Sequence, residues 1–139
     1  MKSILQEDNG ICFLCRLKGD SHEQFTHEHH VIYGTSGRKL SEKYGLKLYL
    51  CPRHHEFGKE AVHRNKETRI FLEKCAQLVF INLHGQDLWM QIFGRNYLEP
   101  EEMKAKPRDA FEAAVVLKYG SGREGKFKVT EDKIGDLQL

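Results

Sequence analysis

The chain lacks the features that would assign it to several broad classes of protein. No apolar run approaches the length of a membrane span, and acids stand at positions 7 and 8, where a secretory signal would have its apolar core. We therefore expect a cytoplasmic protein with no part in a membrane. The net charge is only +2, so the field of the whole protein does not indicate a nucleic-acid partner. The 139 residues predict one domain, or one small domain with an appendage.

Histidine and cysteine are concentrated in one part of this sequence. Seven of the eight histidines lie between His22 and His63, and three of the four cysteines lie between Cys12 and Cys51. Clustered histidine and cysteine indicate metal binding, and there are too many of them for one tetrahedral ion. The pattern predicts two sites, one closed and structural, the other open to chemistry.

The closed site is predicted from a repeated spacing. Cys12 and Cys15 are separated by two residues, and Cys51 and His54 repeat that gap. Three thiolates and one imidazole form a ligand set that zinc prefers. A disulfide, a redox pair and free core cysteines are the alternatives, but the repeated spacing and the expected reducing compartment favour structural Zn²⁺. Cys75 lies in a helical pattern and is predicted to fill the core.

The open site is predicted from the histidines that remain. His29 and His30 are adjacent, so an extended strand directs them to opposite faces. One imidazole can then bind a metal while the other faces a substrate or water. The strand is expected to continue to Tyr33, followed by a loop at 34–37 and by a second strand over 46–50. The remaining histidines are His27, His29, His30, His55 and His63.

Three short motifs carry a family resemblance. The steps Cys-x2-Cys, His-His-Val-Ile-x-Gly and Leu-Cys-x-x-His-His lie within roughly residues 10–97. Together they resemble the HNH endonucleases, also called ββα-metal or His-Me finger nucleases, of the short phage and prophage type. The resemblance implies an α+β fold with a zinc-stabilised ββα-metal core, and a bacterial or phage-encoded enzyme that hydrolyses DNA with a divalent metal.

The resemblance also implies roles for individual side chains. His30 corresponds to the general base that takes a proton from the attacking water. His29 corresponds to a ligand of the catalytic ion, together with His55 and, as second choice, His63. A neutral imidazole suits the base, and imidazole-rich ligation suits Zn, Ni or Mn better than Mg. The expected cofactors are structural Zn²⁺ and a catalytic divalent ion (Mg, Mn, Ni or Zn).

One position departs from the family pattern. The middle residue of the motif, often Asn, falls near Leu46 by spacing, and Leu cannot orient the base or support the metal. Asn65 or His63 could take the role of the missing Asn. Glu28 either contributes an oxygen, holds a histidine tautomer, or is a solvated acid in a loop.

Local charge suggests where DNA phosphates would approach. Between Tyr33 and Arg53 five cations face the single acid Glu42. A basic loop between the two strands would lie where the phosphate backbone enters, although an ordinary solvated loop has a similar composition. The expected phosphate-contacting residues are Arg38, Lys39, Lys43, Lys47 and Arg53. Whether a phage or host protein directs the enzyme, and its oligomeric state, are left open.

The second half of the chain is predicted to be mainly helical. Apolar residues recur at helical spacing over 59–83, and a short helix is expected over 87–93. Trp89, Phe93 and Tyr97 are predicted to be core residues. The proposed domains are residues 1–98, the nuclease domain, and residues 99–139, a C-terminal extension. For the extension, a hairpin of strands 114–119 and 126–130 is favoured over a helix that begins near Pro107.

Two other functions fit parts of the pattern. A catalytically inactive, zinc-stabilised nucleic-acid-binding module would explain the missing Asn. A protein-interaction adaptor held by zinc would explain only the four residues of the closed site. The number of metal ions per chain separates these hypotheses, because only the nuclease requires a second, exchangeable ion.

Overall fold

The structure is a computed structural model that describes residues 1–120. The described chain is an α+β protein in which a two-stranded antiparallel sheet is combined with helices, as the sequence predicts. The elements in chain order are α1 (Phe13–Leu17), β1 (His27–His30), α2 (Thr35–Tyr44), β2 (Lys47–Leu50), a π-helical turn (Arg53–Phe57), α3 (Lys66–His84), α4 (Gln86–Phe93), a 3-10 turn (Glu102–Lys104) and α5 (Ala110–Tyr119).

The segment between the two strands is a helix and not the expected loop. Helix α2 ends at Gly45, which has a left-handed backbone (φ 73°). Gly37, inside the helix, packs so closely that a Cβ there would lie 2.6 Å from the carbonyl oxygen of Ile32. The glycines that suggested a loop therefore allow the helix to pack on the chain and to end sharply.

The sheet is short and well defined in register. His27 pairs with Leu50 and His30 pairs with Lys47. The first strand ends at His30 and does not extend to Tyr33, because the chain turns into α2. All four residues of β2 are buried, which makes this strand the inner one of the pair.

The long helix α3 begins seven residues later than the periodicity predicts. Residues 59–64 form turns, and Asn65 caps α3 by accepting a hydrogen bond from the Thr68 backbone amide at 3.1 Å. Two backbone hydrogen bonds hold the turns, from Val62 to the His54 carbonyl (2.8 Å) and from His63 to the His55 carbonyl (3.3 Å). The late start therefore leaves His63 on a turn that folds back on the π-helical turn.

The core forms where α3 packs against α4 and α5. Trp89 is fully buried, and its indole nitrogen donates a hydrogen bond to the Arg95 carbonyl at 2.8 Å. Phe93 and Tyr97 are partly buried against the same core, so these three aromatics are packing residues, as predicted. Cys75 is a fully buried free thiol within α3, which confirms its role as core filler.

The expected hairpin in the C-terminal extension is wrong for its first strand. Residues 114–119 belong to α5, which Asp109 caps by accepting a hydrogen bond from the Glu112 amide at 2.9 Å. The expected second strand, 126–130, lies outside the described residues. Helix α5 buries Ala113, Ala114 and Val115 in the core shared with α3, because small side chains allow the two helices to approach closely.

Within residues 1–120 no helix combines the length and the apolar character needed to cross a membrane. The longest of them, α3, has 19 residues, and several of these are charged.

We predict that α5 is required for the stability of the core. Ala113→Asp should lower the free energy of unfolding by about 3 kcal/mol or more, because it buries an unpaired charge against α3. Lys118→Ala, an exposed position on the same helix, is the control and should change it by less than about 1 kcal/mol. Urea unfolding measures both, and equal stability of the two variants would show that α5 is a separable appendage.

Candidate metal centres

Four residues that the sequence assigns to one zinc site lie together in the structure. Cys12, Cys15, Cys51 and His54 are all buried, and their ligand atoms converge. The Nδ1 atom of His54 lies 3.4 Å from each of the three sulfurs, and the sulfurs of Cys15 and Cys51 are 3.9 Å apart. Tetrahedral zinc with ordinary bond lengths would place sulfur about 3.8 Å from sulfur and about 3.6 Å from nitrogen. The cluster therefore fits a zinc ion.

The chemistry of this cluster agrees with its geometry. The three cysteines are free thiols, and a 3.9 Å separation is far beyond the length of a disulfide bond. Burial raises the pKa of Cys12 to about 12, so thiolates here require a compensating cation. Burial, with Lys18 and Arg53 nearby, lowers the pKa of His54 to about 4, which leaves its imidazole neutral and able to bind a metal.

We predict that this cluster stabilises the fold through zinc. Cys51→Ser should release zinc and lower the melting temperature by more than about 10 °C, because the site joins separate stretches of the chain. Cys75→Ala is the control, since Cys75 lies outside the cluster, and it should retain one equivalent of zinc. Calorimetry and elemental analysis measure both properties. A Cys51→Ser protein that keeps its zinc and its melting temperature would contradict the assignment.

The π-helical turn brings the cysteine cluster and a second cluster, of histidines, side by side. It carries His54 and His55, which are adjacent and therefore project in different directions from the turn. His54 faces the three sulfurs, whereas His55 faces His29 and His63. A π turn widens the backbone locally and is frequent at functional sites. Here it allows His54 and His55 to belong to different clusters.

The second cluster consists of His29, His55 and His63. One ligand nitrogen from each lies within 4.8 Å of the others, and the Nε2 atoms of His55 and His63 are 3.0 Å apart. The sequence predicted these three as the ligands of an exchangeable ion, and the structure brings them together. Three imidazoles leave coordination positions open to water or substrate, as in catalytic rather than structural zinc sites.

An unpartnered nitrogen in this cluster fits a metal-binding arrangement. The Nε2 atom of His29 is buried and has no hydrogen-bond partner, which is costly unless something binds it. Burial, together with His55, His63 and His30, lowers the pKa of His29 to about 3. Burial, His63 and His27 lower the pKa of His55 to about 4. Both imidazoles are therefore neutral at pH 7 and have a lone pair to give.

His27, which the sequence left without a role, supports this cluster. Its Nδ1 atom is hydrogen-bonded to Nδ1 of His55 at 2.9 Å. Because Nδ1 of His55 is used in this bond, Nε2 is the nitrogen that faces His63. Partners of this kind fix the tautomer and the ring orientation of a metal ligand. The signal in the sequence is the period of two in β1, which puts His27 and His29 on one face.

His30 lies beside the cluster in different surroundings. Its Nε2 atom donates a hydrogen bond to Glu42 Oε2 at 3.1 Å and lies 3.6 Å from Glu28 Oε1. The same Glu42 oxygen lies 3.1 Å from the ammonium of Lys47. Hydrogen bonds from Lys47 and His30 lower the pKa of Glu42 to about 2. Glu42 is therefore an ionised partner of His30 that sequence reasoning missed, because it lies on the unexpected helix α2.

A cavity of about 350 Å³ connects the predicted base with the metal cluster. His29, His30, His55 and His63 line it together with two arginines, Arg38 and Arg69. A water or a phosphate oxygen in this space can reach both the ligands and His30. Arg69 was not predicted; it stacks on the ring of Tyr33 at 4.8 Å.

The predicted phosphate-contacting residues do not form one surface. Arg38 lines the cavity, and Lys39 and Lys43 are exposed on the same helix. Arg53 is exposed but lines a smaller pocket on the side of the cysteine cluster. Lys47 does not fit the role, because it is only 5 % exposed and its ammonium contacts Glu28 and Glu42.

Leu46, at the middle position of the family motif, and Asn65, considered as its substitute, do not orient His30. Leu46 is fully buried in the core. Asn65 is used as the cap of α3, and its amide nitrogen donates to the Lys59 carbonyl at 3.4 Å. His63, the other substitute, belongs to the three-histidine cluster.

Comparisons of this chain with protein-family models, with curated proteins and with solved structures found no match. The likeness to HNH endonucleases is therefore confined to the short motifs in the sequence.

We predict that the three-histidine cluster binds a divalent ion that exchanges independently of the zinc. His63→Ala should weaken binding of added Ni²⁺ or Co²⁺ by more than about 10-fold while the zinc content stays constant, because His63 belongs only to the second cluster. His84→Ala, at the end of α3, is the matched control and should bind as the parent does. Titration calorimetry on the zinc-loaded protein measures the affinity. A parent that binds only one ion per chain would rule out the second site.

Proposed function

We propose that this protein is a metal-dependent endonuclease of the HNH type that hydrolyses DNA phosphodiester bonds. The observation that carries the proposal is the buried, unpartnered Nε2 of His29 within a cluster of three imidazoles. That cluster shares one cavity with His30. A metal site with open positions next to a candidate base is the arrangement that hydrolysis of a phosphodiester requires.

His30 acts as the general base. It accepts a proton from a water molecule in the cavity, and the oxygen of that water attacks the phosphorus atom while the bond to the leaving oxygen breaks. The proposal is supported by the ionised Glu42, which accepts the Nε2–H of His30. With Nε2 protonated, Nδ1 is the nitrogen with a free lone pair. The carboxylate also stabilises the imidazolium that forms.

His29, His55 and His63 hold the ion of the proposed site. A bound divalent ion would neutralise charge on the phosphate and on the leaving oxygen. The three ligands supply only neutral nitrogen, which suits Zn, Ni or Mn more than Mg. His27 keeps the lone pair of His55 directed into the cluster through its 2.9 Å hydrogen bond.

Two arginines at the cavity would orient the phosphate. Arg38 comes from α2 and Arg69 from the first turn of α3, and both line the cavity. Guanidinium groups bind phosphate oxygens in a bidentate fashion. Exposed Lys39 and Lys43 continue this positive surface along α2 and would contact the neighbouring phosphates.

The order of elements supports the HNH assignment over a generic metal hydrolase. The proposed base and one ligand are adjacent at the end of β1, the zinc cluster holds the end of β2, and a second ligand follows on the helical turn. This order of strand, strand and helical turn supports the proposal, because the family resemblance implies a ββα-metal arrangement. In this chain a helix, α2, is inserted between the strands.

We predict that His30→Ala lowers the rate of cleavage of supercoiled plasmid by about 100-fold or more, because it removes the proton acceptor. Fold, zinc content and DNA affinity should be nearly unchanged, since His30 belongs to neither metal cluster. His22→Ala is the matched control, as His22 is exposed and does not line the cavity. Agarose gels with Mg²⁺, Mn²⁺, Ni²⁺ or Zn²⁺ measure the rates.

Two outcomes would count against this function. Cleavage by His30→Ala at the parent's rate, with the same metal dependence, would remove His30 from the mechanism. A parent that binds DNA but cleaves it with none of these metals would favour the inactive nucleic-acid-binding module. That alternative has one supporting observation, the buried Leu46 at the middle position of the motif.

A further inference from the structure

A group of charged side chains lies on the face of β1 opposite His29. It consists of Glu28, Glu42 and Lys47, and His30 projects into it. The oxygens of the two glutamates and Nε2 of His30 lie within 4.8 Å of one another, as ligands of a cation would. The buried ammonium of Lys47, however, lies 3.1 Å from Glu42 and 3.7 Å from Glu28. The N-terminal amine of Met1 lies 3.5 Å from the other oxygen of Glu42. Two cations of the chain itself therefore balance these two carboxylates, which argues against a third metal.

The function of the group then follows from its contact with His30. We infer that Glu42 is the positioning residue for the general base, taking the place of the missing Asn of the HNH motif. Its Oε2 atom accepts the Nε2–H of His30 at 3.1 Å and thereby holds the ring with Nδ1 as the basic nitrogen. The inference rests on the proposed function, because it assigns a partner to the proposed base.

The geometry separates Glu42 from its neighbour Glu28. Glu28 Oε1 is 3.6 Å from Nε2 of His30, which is too long for a hydrogen bond. Glu42 is held by its place on α2, and its carboxylate also contacts two ammonium groups, that of Lys47 at 3.1 Å and that of the N-terminal Met1 at 3.5 Å. The side chain of Glu42 is half exposed, so replacing it removes the hydrogen bond without creating a cavity in the core.

The first test is a measurement on the imidazole itself. In ¹⁵N-labelled protein at a pH above the imidazole titration, His30 should show a protonated Nε2, an unprotonated Nδ1 and an Nε2–H signal protected from exchange with water. Glu42→Ala should abolish that protected signal, because the carboxylate acceptor is lost. Glu42→Gln should retain much of it, since the amide oxygen can still accept.

A matched control separates positioning from stability. Lys47→Met removes the ion pair between Lys47 and Glu42 but leaves the contact of Glu42 with the N-terminal amine and its hydrogen bond to His30, so the signal should persist. The double variant Glu42→Leu/Lys47→Met removes the acceptor without leaving an unpaired buried ammonium, and it serves if Glu42→Ala does not fold. We expect the double variant to lack the protected signal. A signal that persists in it, or that the parent lacks, overturns the inference.

The second test is the rate of plasmid cleavage. Glu42→Ala should lower kcat by about 10- to 100-fold with KM and metal affinity unchanged, and Glu42→Gln should lose less. Lys47→Met should stay within a few-fold of the parent, and an equal loss in Lys47→Met and Glu42→Ala overturns the positioning role. If the parent does not cleave at all, the proposed function fails, whereas the imidazole measurement still decides whether Glu42 holds His30.

Discussion

The convergence of Cys12, Cys15, Cys51 and His54 is the constraint on which the rest of this structure depends. It joins the start of α1 to the segment that links the end of β2 with the π-helical turn, two stretches that are far apart in the sequence. A small sheet of two four-residue strands buries too little apolar surface to be stable alone. A metal ion at this cluster would supply the missing free energy at the point where the sheet meets the turn.

The geometry of the three-histidine cluster depends on that of the cysteine cluster. His55 directly follows His54 on one turn, so holding His54 against the sulfurs also sets the position of His55. The backbone hydrogen bond from His63 to His55 then brings the third imidazole into place. A structural site adjacent to a candidate catalytic one gives rigidity where the chemistry needs fixed distances. Loss of zinc would therefore be expected to disturb both centres.

Electrostatics divide the surroundings of β1 into two different environments. On one face the imidazoles of His29 and His55 are buried or half-buried and kept neutral, which favours binding of a cation. On the other face His30 donates a hydrogen bond to ionised Glu42. The two adjacent histidines therefore lie in different electrostatic environments, which agrees with the different roles proposed for them.

The sequence by itself determined the α+β class, the four residues of the zinc cluster and the histidines of the second cluster. The spacing of the cysteines and His54 predicts the zinc ligands directly, whereas the second set of ligands is what the resemblance to HNH endonucleases implies. Both depend on short motifs, which can be recognised without the fold. It did not determine α2, the late start of α3 or the helical state of α5, because these depend on close packing at Gly37, on capping by Asn65 and on contact between small residues of α5 and α3. Only the tertiary structure could place Glu42 and Lys47 beside His30, or His27 behind His55. Those contacts join residues on different elements. The period of two puts His27 on the face of His29, but local spacing does not show which side chains from other elements either face meets.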